Sequence, residues 1–203
     1  ILVVNKQAGL LSVATDKMEP DTLHSRVIDY LQFDDERAWA FIVHRLDRET
    51  SGVMIFAKTK WHKEYLQEQF AERSVHRVYH ALVQGKPEKN SGTIHEWLLE
   101  DKFLRVKSVN KRTPNAREAI THWSIEDSDD IASLIMLTIE TGRRHQIRVG
   151  LANLGNPVVG DEQHGAEGNP IGRIALHATA LELLHPATDD PVRFEATIPF
   201  GPE

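Results

Sequence analysis

The apolar runs of this chain are short, rich in Val, Ile and Leu, and cut off by Gly, Asn or Pro, which is the pattern of a strand-dominated fold. It predicts strands over 1–5, 41–43, 52–58, 77–84, 92–97, 104–109, 117–125, 133–140, 173–184 and 192–198. Alternation is clearest at Ala119, Thr121, Trp123 and Ile125, where every second residue faces the same side of a pleated strand. Helical spacing interrupts this pattern at three segments. Leu23, Val27, Ile28 and Leu31 form a stripe behind the candidate N-caps Asp21 and Thr22. Trp61, Tyr65, Leu66 and Phe70 form another in a segment starting near Lys60. Ile147, Leu151 and Leu154 form the last, with Thr141 as candidate N-cap, Gly155 at the C′ position and Pro157 beyond. The expected fold class is therefore α+β, a curved, largely antiparallel mixed β-sheet with flanking helices. No repeat, low-complexity tract or linker-like stretch appears, so residues 1–203 are expected to form one domain.

With hydrophobic residues at 40% and charged ones at 27%, the chain can bury a substantial core. The absence of cysteine excludes disulfides, thiolate catalysis and Cys-ligated metal centres, and it fits a reducing cytoplasm. No apolar run approaches the roughly 20 residues that span a bilayer. The chain opens inside an apolar run without an initiator Met, so a preceding piece is expected to be missing, and no upstream RNA-binding domain is seen. The protein is expected to be a cytoplasmic monomer without a membrane partner.

A net charge of −6 weighs against nucleic acid, but its distribution weighs the other way. Lys102, Arg105, Lys107, Lys111, Arg112 and Arg117 follow one another with no acidic residue between them, and Arg143, Arg144, His145 and Arg148 form a second basic knot. The acids gather at Asp34, Asp35 and Glu36 and at Glu126, Asp127, Asp129 and Asp130. A polarised surface of this kind fits a phosphate chain, and it equally fits solvated strand edges.

Asp47 lies between Arg45 and Arg48, after a strand-like run and before Thr50-Ser51-Gly52. Loops at strand ends present reactive groups, and a neighbouring guanidinium keeps a carboxylate ionised. The same pattern also describes a turn-forming Asp bonded to local backbone. The segment Thr141-Gly142-Arg143-Arg144 is read as a helix start able to hold an anion, with Arg144 and Arg148 one turn apart opposite the apolar stripe. Both arginines are as readily solvated surface residues. His76 and His80 on a strand would lie about 13 Å apart, too far to share a metal ion, and no HExxH motif is present. Tyr79 is either a base-stacking residue or ordinary strand packing.

What joins these signals is their order. Ile1–Leu10, His44-Arg45-Leu46-Asp47-Arg48-Glu49-Thr50-Ser51-Gly52, Arg77–Gly85, Thr141-Gly142-Arg143-Arg144-His145-Gln146-Ile147-Arg148 and Leu176-His177-Ala178 together resemble the RluA-type RNA pseudouridine synthases. The resemblance covers essentially the whole chain. It implies an isomerase that turns uridines of structured ribosomal or transfer RNA stem-loops into pseudouridine, with no metal and no organic cofactor. Asp47 matches the family's catalytic aspartate, which attacks the target nucleoside so that uracil is detached, turned and rejoined through C5. Tyr79 matches the Tyr that packs on the base and serves as a candidate general base. Arg148 matches the basic residue paired with the catalytic carboxylate. Arg45 matches the Arg that helps flip the uridine, and Leu176 an apolar residue of the base pocket. Arg144 and His145 are expected substrate-binding residues.

The chain departs from the pattern at Gln7, where Pro is usual, at Gly150, where His is usual, and at His164, where Tyr is commoner. These positions lie beside the matched catalytic residues. A protein of this fold that binds RNA without activity is the alternative, which the intact set Asp47, Tyr79 and Arg148 opposes. A metal-dependent nuclease or phosphatase is disfavoured by the lack of a ligand cluster.

Overall fold

A computed structural model describes residues 1–201 of the chain. In chain order the elements are β1 (Leu2–Lys6), α1 (Leu23–Gln32), β2 (Phe41–Ile42), β3 (Ser51–Ala57), α2 (Lys60–Ala71), β4 (His76–Gln84), β5 (Ser91–Glu100), β6 (Val106–Val109), β7 (Arg117–Ser128), β8 (Ala132–Ile139), α3 (Gln146–Asn153), β9 (Leu176–Leu184) and β10 (Pro191–Glu195). The fold class is the expected one, a mixed and mostly antiparallel open sheet with helices. The described residues divide into two compact units, Ile1–Arg77 with Ala178–Thr197 and Val78–His177 with the residues from Ile198 onward. The divisions fall inside β4 and β9, where no change of composition marks a boundary.

In the first unit the strand order is β1-β3-β9, with β2 also on β3 and β10 on β9. Every residue of β3 is buried, so this strand reads as a continuous apolar run instead of alternating. Its Val53, Ile55 and Ala57 join Leu66 of α2 and Leu181 and Leu183 of β9 in one core. Helix α1 begins at a reciprocal capping box, in which Thr22 accepts from the Ser25 amide and Ser25 Oγ accepts from the Thr22 amide. Of the two candidate caps, Thr22 is the one used; Asp21 instead meets Arg26 in an exposed ion pair at 2.7 Å, a contact of little energetic weight.

In the second unit the order is β4-β8-β7-β5-β6. Alternation holds along β8 and through the first half of β7, and a register shift between Ile125 and Asp127 bends the pairing toward the end of β7. Val149 of α3 packs with Leu98, Val106 and Ala119. The strand expected from Leu104 begins only at Val106, because Leu104 takes φ 63 in the turn that follows β5.

Gly52 is required by geometry. It has φ +118, and a Cβ there would lie 2.1 Å from the backbone oxygen of Ala178. Since backbone cannot step aside, Gly52→Ala is expected to cost on the order of 4 kcal/mol in urea unfolding. Gly155 also has a positive φ, +92, but nothing lies within 4 Å of its Cβ position. Gly155→Ala is thus expected to cost only about 1 kcal/mol. Equal losses in the two variants would contradict this account.

Candidate active site

In the first unit, the loop that carries Asp47 is held by the segment after β1. Lys6 is 1% exposed, and its ammonium donates to the carbonyls of Gln7 (3.0 Å), Leu10 (2.6 Å) and Arg48 (2.9 Å). The Gly9 amide donates to the same Arg48 carbonyl at 2.9 Å, and Arg48 Nε donates to the Gly9 carbonyl at 3.0 Å. Ser12 Oγ donates to the Leu46 carbonyl at 2.7 Å and accepts from the Leu46 amide at 3.1 Å. The backbone is therefore clamped at both neighbours of Asp47. Asp47 itself is half-buried, its carbonyl accepts from the Thr50 amide at 3.1 Å, and Arg45 and Arg48 are exposed.

His44, at the start of the loop, accepts from the Ile55 amide at 3.2 Å and stacks on Phe70 with ring centroids 5.0 Å apart. Burial, assisted by the charge of Arg77, pushes its pKa down to about 3. The imidazole stays neutral, which its role as an acceptor requires.

In the second unit, the helix start differs from the sequence expectation. α3 begins at Gln146, its N-cap is His145 in the left-handed region, and no side-chain cap is present. Thr141 is not the cap. Its Oγ1 accepts from the Ile120 amide at 2.9 Å and donates to Gln146 Oε1 at 2.8 Å, while Gln146 Nε2 donates to the Ile120 carbonyl and to Thr121 Oγ1. Gln146 Oε1 also accepts from the Arg143 amide at 3.1 Å, so this 3%-exposed side chain spends its capacity on tying α3 to β7. Arg144 lies before the helix, 3.8 Å from Glu100, and the expected shared face of Arg144 and Arg148 does not form.

Arg148 is buried rather than solvated. Its Nε and Nη2 donate to the two oxygens of Asp161, each at 2.7 Å, and Nη2 is 3.3 Å from Gln163 Oε1. Asp161 is wholly buried, and the bidentate fit satisfies both charges, the condition under which a buried pair is tolerated. Beside it, His145 Nδ1 and His164 Nε2 are 3.0 Å apart, and burial with the nearby arginines pushes His145 down to about 3. Tyr79 on β4 and Leu176 at the start of β9 are both buried, at 8% and 3% exposure. The second unit thus brings Arg148, His145 and Arg144 near one another; Arg45 and Asp47 share the clamped loop of the first.

A family model described as RNA pseudouridylate synthase matches residues 1–153. The chain belongs to that family. It is 34% identical over 201 residues to the uncharacterized RNA pseudouridine synthase YhcT of Bacillus subtilis, covering 98% of this chain and 66% of that protein. It is 35% identical over 217 residues to ribosomal large subunit pseudouridine synthase D of Xanthomonas campestris, covering 98% of this chain and 63% of that one. The chain therefore spans about two thirds of the length of these curated relatives. Among solved structures, human RNA pseudouridylate synthase domain containing 1 superposes with a TM-score of 0.79 at 26% identity, over 98% of this chain and 80% of that one.

Within this pseudouridylate synthase, the departures noted in the sequence have local explanations. Gln7 contributes a backbone carbonyl to Lys6, a contact independent of its side chain. His164 lies edge-on to His145, with ring centroids 5.2 Å apart. At Gly150 a Cβ would already stand 3.3 Å from Glu96 Oε1 and from Ile94, so a larger side chain needs both to move. Asp161, Ser12 and Lys6 were missed by sequence reading. A lysine closing a strand that opens with the apolar run Leu2-Val3-Val4 was the visible signal for Lys6.

His44 sets a pH dependence. In the window from the ordinary histidine value of 6.5 down to about 3 the unfolded chain takes up a proton that the folded chain refuses. Its contribution to stability is full above that window and declines as pH falls, with a limiting slope of about 1.4 kcal/mol per pH unit. The stability gap between wild type and His44→Gln is expected to narrow by about 1.5 kcal/mol from about pH 6.5 to about pH 5. A gap constant with pH in denaturant titrations would refute the neutral imidazole.

Proposed function

We propose that the protein isomerises uridines in structured RNA, ribosomal or transfer, to pseudouridine, with Asp47 as the nucleophile. The observation that carries this reading is the half-buried Asp47 on a loop clamped at both of its neighbours, in a chain that belongs to the pseudouridylate synthases. The ribosomal target is supported by the name of the Xanthomonas relative. In the isomerisation the N1–C1′ bond breaks and a C5–C1′ bond forms; C5 gives up its proton and N1 takes one. The sum is a rearrangement without net oxidation.

Each residue then has a task. Asp47 attacks the nucleoside to release the uracil, a step that needs an ionised carboxylate held in place. Arg45, exposed on the same loop, enters the space left by the flipped uridine, and extrusion costs a few kcal/mol that phosphate contacts and stacking offset. Tyr79 packs on the base and takes the C5 proton, and Leu176 lines the pocket. Arg148 is the basic residue that the family match assigns to the reaction, and its Nε and Nη2 edge is committed to Asp161, which fixes the plane of the guanidinium. Arg144 and His145 contact the RNA. The protein acts as a cytoplasmic monomer, and among the described residues no helix is long and apolar enough to cross a membrane.

Tritium release from C5-labelled uridine in cellular RNA measures the reaction directly. Asp47→Asn is expected to lower the rate by at least about a thousandfold, as loss of a covalent nucleophile does. Release by that variant at the wild-type rate would overturn the assignment. Arg148→Ala is expected to lower activity more than Arg144→Ala, with Arg148→Lys, which keeps a cation against the buried Asp161, as the folded reference. Comparable losses in folded Arg148 and Arg144 variants would remove the special role given to Arg148.

A further inference from the structure

The turn between β5 and β6 exposes two large apolar side chains, Phe103 at 64% and Leu104 at 51%. It is a built turn. Asp101 Oδ1 accepts from the Phe103 amide at 2.8 Å and the Arg105 amide at 3.0 Å, and Asp101 Oδ2 accepts from Arg105 Nε at 3.0 Å. The Leu104 amide donates to the Asp101 carbonyl and the Asp101 amide to the Arg105 carbonyl, both at 2.9 Å, with Leu104 at φ 63. These bonds hold the Phe103 ring outward. Lys102 Nζ stands 5.1 Å from the ring centroid and the Arg105 guanidinium 5.3 Å.

We propose that this turn is an RNA-docking element, in which Phe103 stacks on an unpaired base and the surrounding cations take the flanking phosphates. The proposal rests on the reading that the substrate is RNA, and it adds which surface grips it. Lys102, Arg105, Lys107, Lys111, Arg112 and Arg117 are all exposed, with no acid between them, in a chain of net charge −6. Asp101 spends its carboxylate on the turn itself and on Arg105, so the other cations of the run keep their charge for a partner. A flat aromatic face beside cations matches the two parts of a nucleotide, base and phosphate. An acidic peptide would supply the charge but no flat group for the ring. Paired RNA would supply phosphates with its bases already stacked, so Phe103 selects for loops and bulges.

Fluorescence anisotropy with a labelled RNA stem-loop and a blunt RNA duplex tests this. Phe103→Ala is expected to weaken the stem-loop about tenfold, the loss of one base stack, and to leave the duplex within about twofold. Phe103→Trp is expected to retain stem-loop affinity. Lys102→Gln combined with Lys107→Gln is expected to shallow the salt dependence by about 1.4 in slope, at about 0.7 per phosphate contact. Unchanged stem-loop affinity in Phe103→Ala, or displacement of the RNA by polyglutamate at equal charge concentration, overturns the docking role. Tritium release by wild type on the same samples keeps the two readings apart. Binding that depends on Phe103 without any release removes the isomerase reading and upholds the docking element. Release with affinity indifferent to Phe103 removes the docking element alone.

Discussion

The buried ammonium of Lys6 is the contact on which the first unit depends. A cation at 1% exposure is tolerable only because carbonyl oxygens replace its water, and those of Gln7, Leu10 and Arg48 do so. Hydrogen bonds to a charged group contribute about 1.5–3 kcal/mol each, enough to offset a large part of the desolvation. Two of the carbonyls belong to the segment leaving β1 and the third to the loop entering β3, so one side chain fixes how these segments meet. β1 and β3 pair from Leu2↔Phe56 to Lys6↔Gly52, which places Lys6 at the last rung before both chains turn away. Ser12 continues the same seam to Leu46, and the Leu11 and Ser12 carbonyls accept the first amides of α1. A strand end, a helix start and the Asp47 loop are thereby set by one short stretch.

The second unit solves a related problem with an anion and a cation together. Breaking a buried pair by removing one partner costs about 3–5 kcal/mol, because the survivor is left desolvated and alone. Arg148 and Asp161 avoid that through two equal 2.7 Å contacts. Asp161 is held on a tight turn, preceded by Gly160, where a Cβ would lie 2.1 Å from the Arg173 carbonyl. The orientation of Arg148 is thus inherited from backbone geometry. Rotating its guanidinium out of plane would forfeit both bonds, so the pair supplies direction more than net stability.

Much of this fold was legible because its period-2 runs and turn residues agree. The expected strands all formed, most with ends displaced by a few residues. The helix reading failed at α3 for a physical reason. Thr141 and Gly155 bracket a plausible helix, but Thr141 and Gln146 satisfy each other and β7 instead, which leaves residues 141–145 irregular and starts the helix at Gln146. Periodicity likewise put Arg148 on an exposed face, since no pattern reveals that a carboxylate 13 residues later will cover it. Asp47 was legible only through the ordered motifs, because its locality looks like any Arg-flanked turn. The clamps made by Lys6 and Ser12 act across sequence separations of 42 and 34 residues, beyond the reach of local pattern.

These contacts divide the labour between buried and exposed groups. Buried polar residues of this chain, Lys6, Ser12, Gln146 and Arg148, hydrogen-bond backbone or neighbouring side chains such as Thr141 and Asp161 and fix loop geometry. Cations left in water, Lys102, Lys107, Lys111 and Arg112, are exposed and offer their field to a partner. A fully buried charge cannot do both, since the geometry that satisfies it internally removes it from solvent. Loss of a buried cation therefore changes how well the Asp47 loop or α3 is held at any salt concentration, whereas loss of an exposed one changes association and fades as salt screens it. Salt dependence is thus the observable that separates an architectural cation from a recognition cation in this protein.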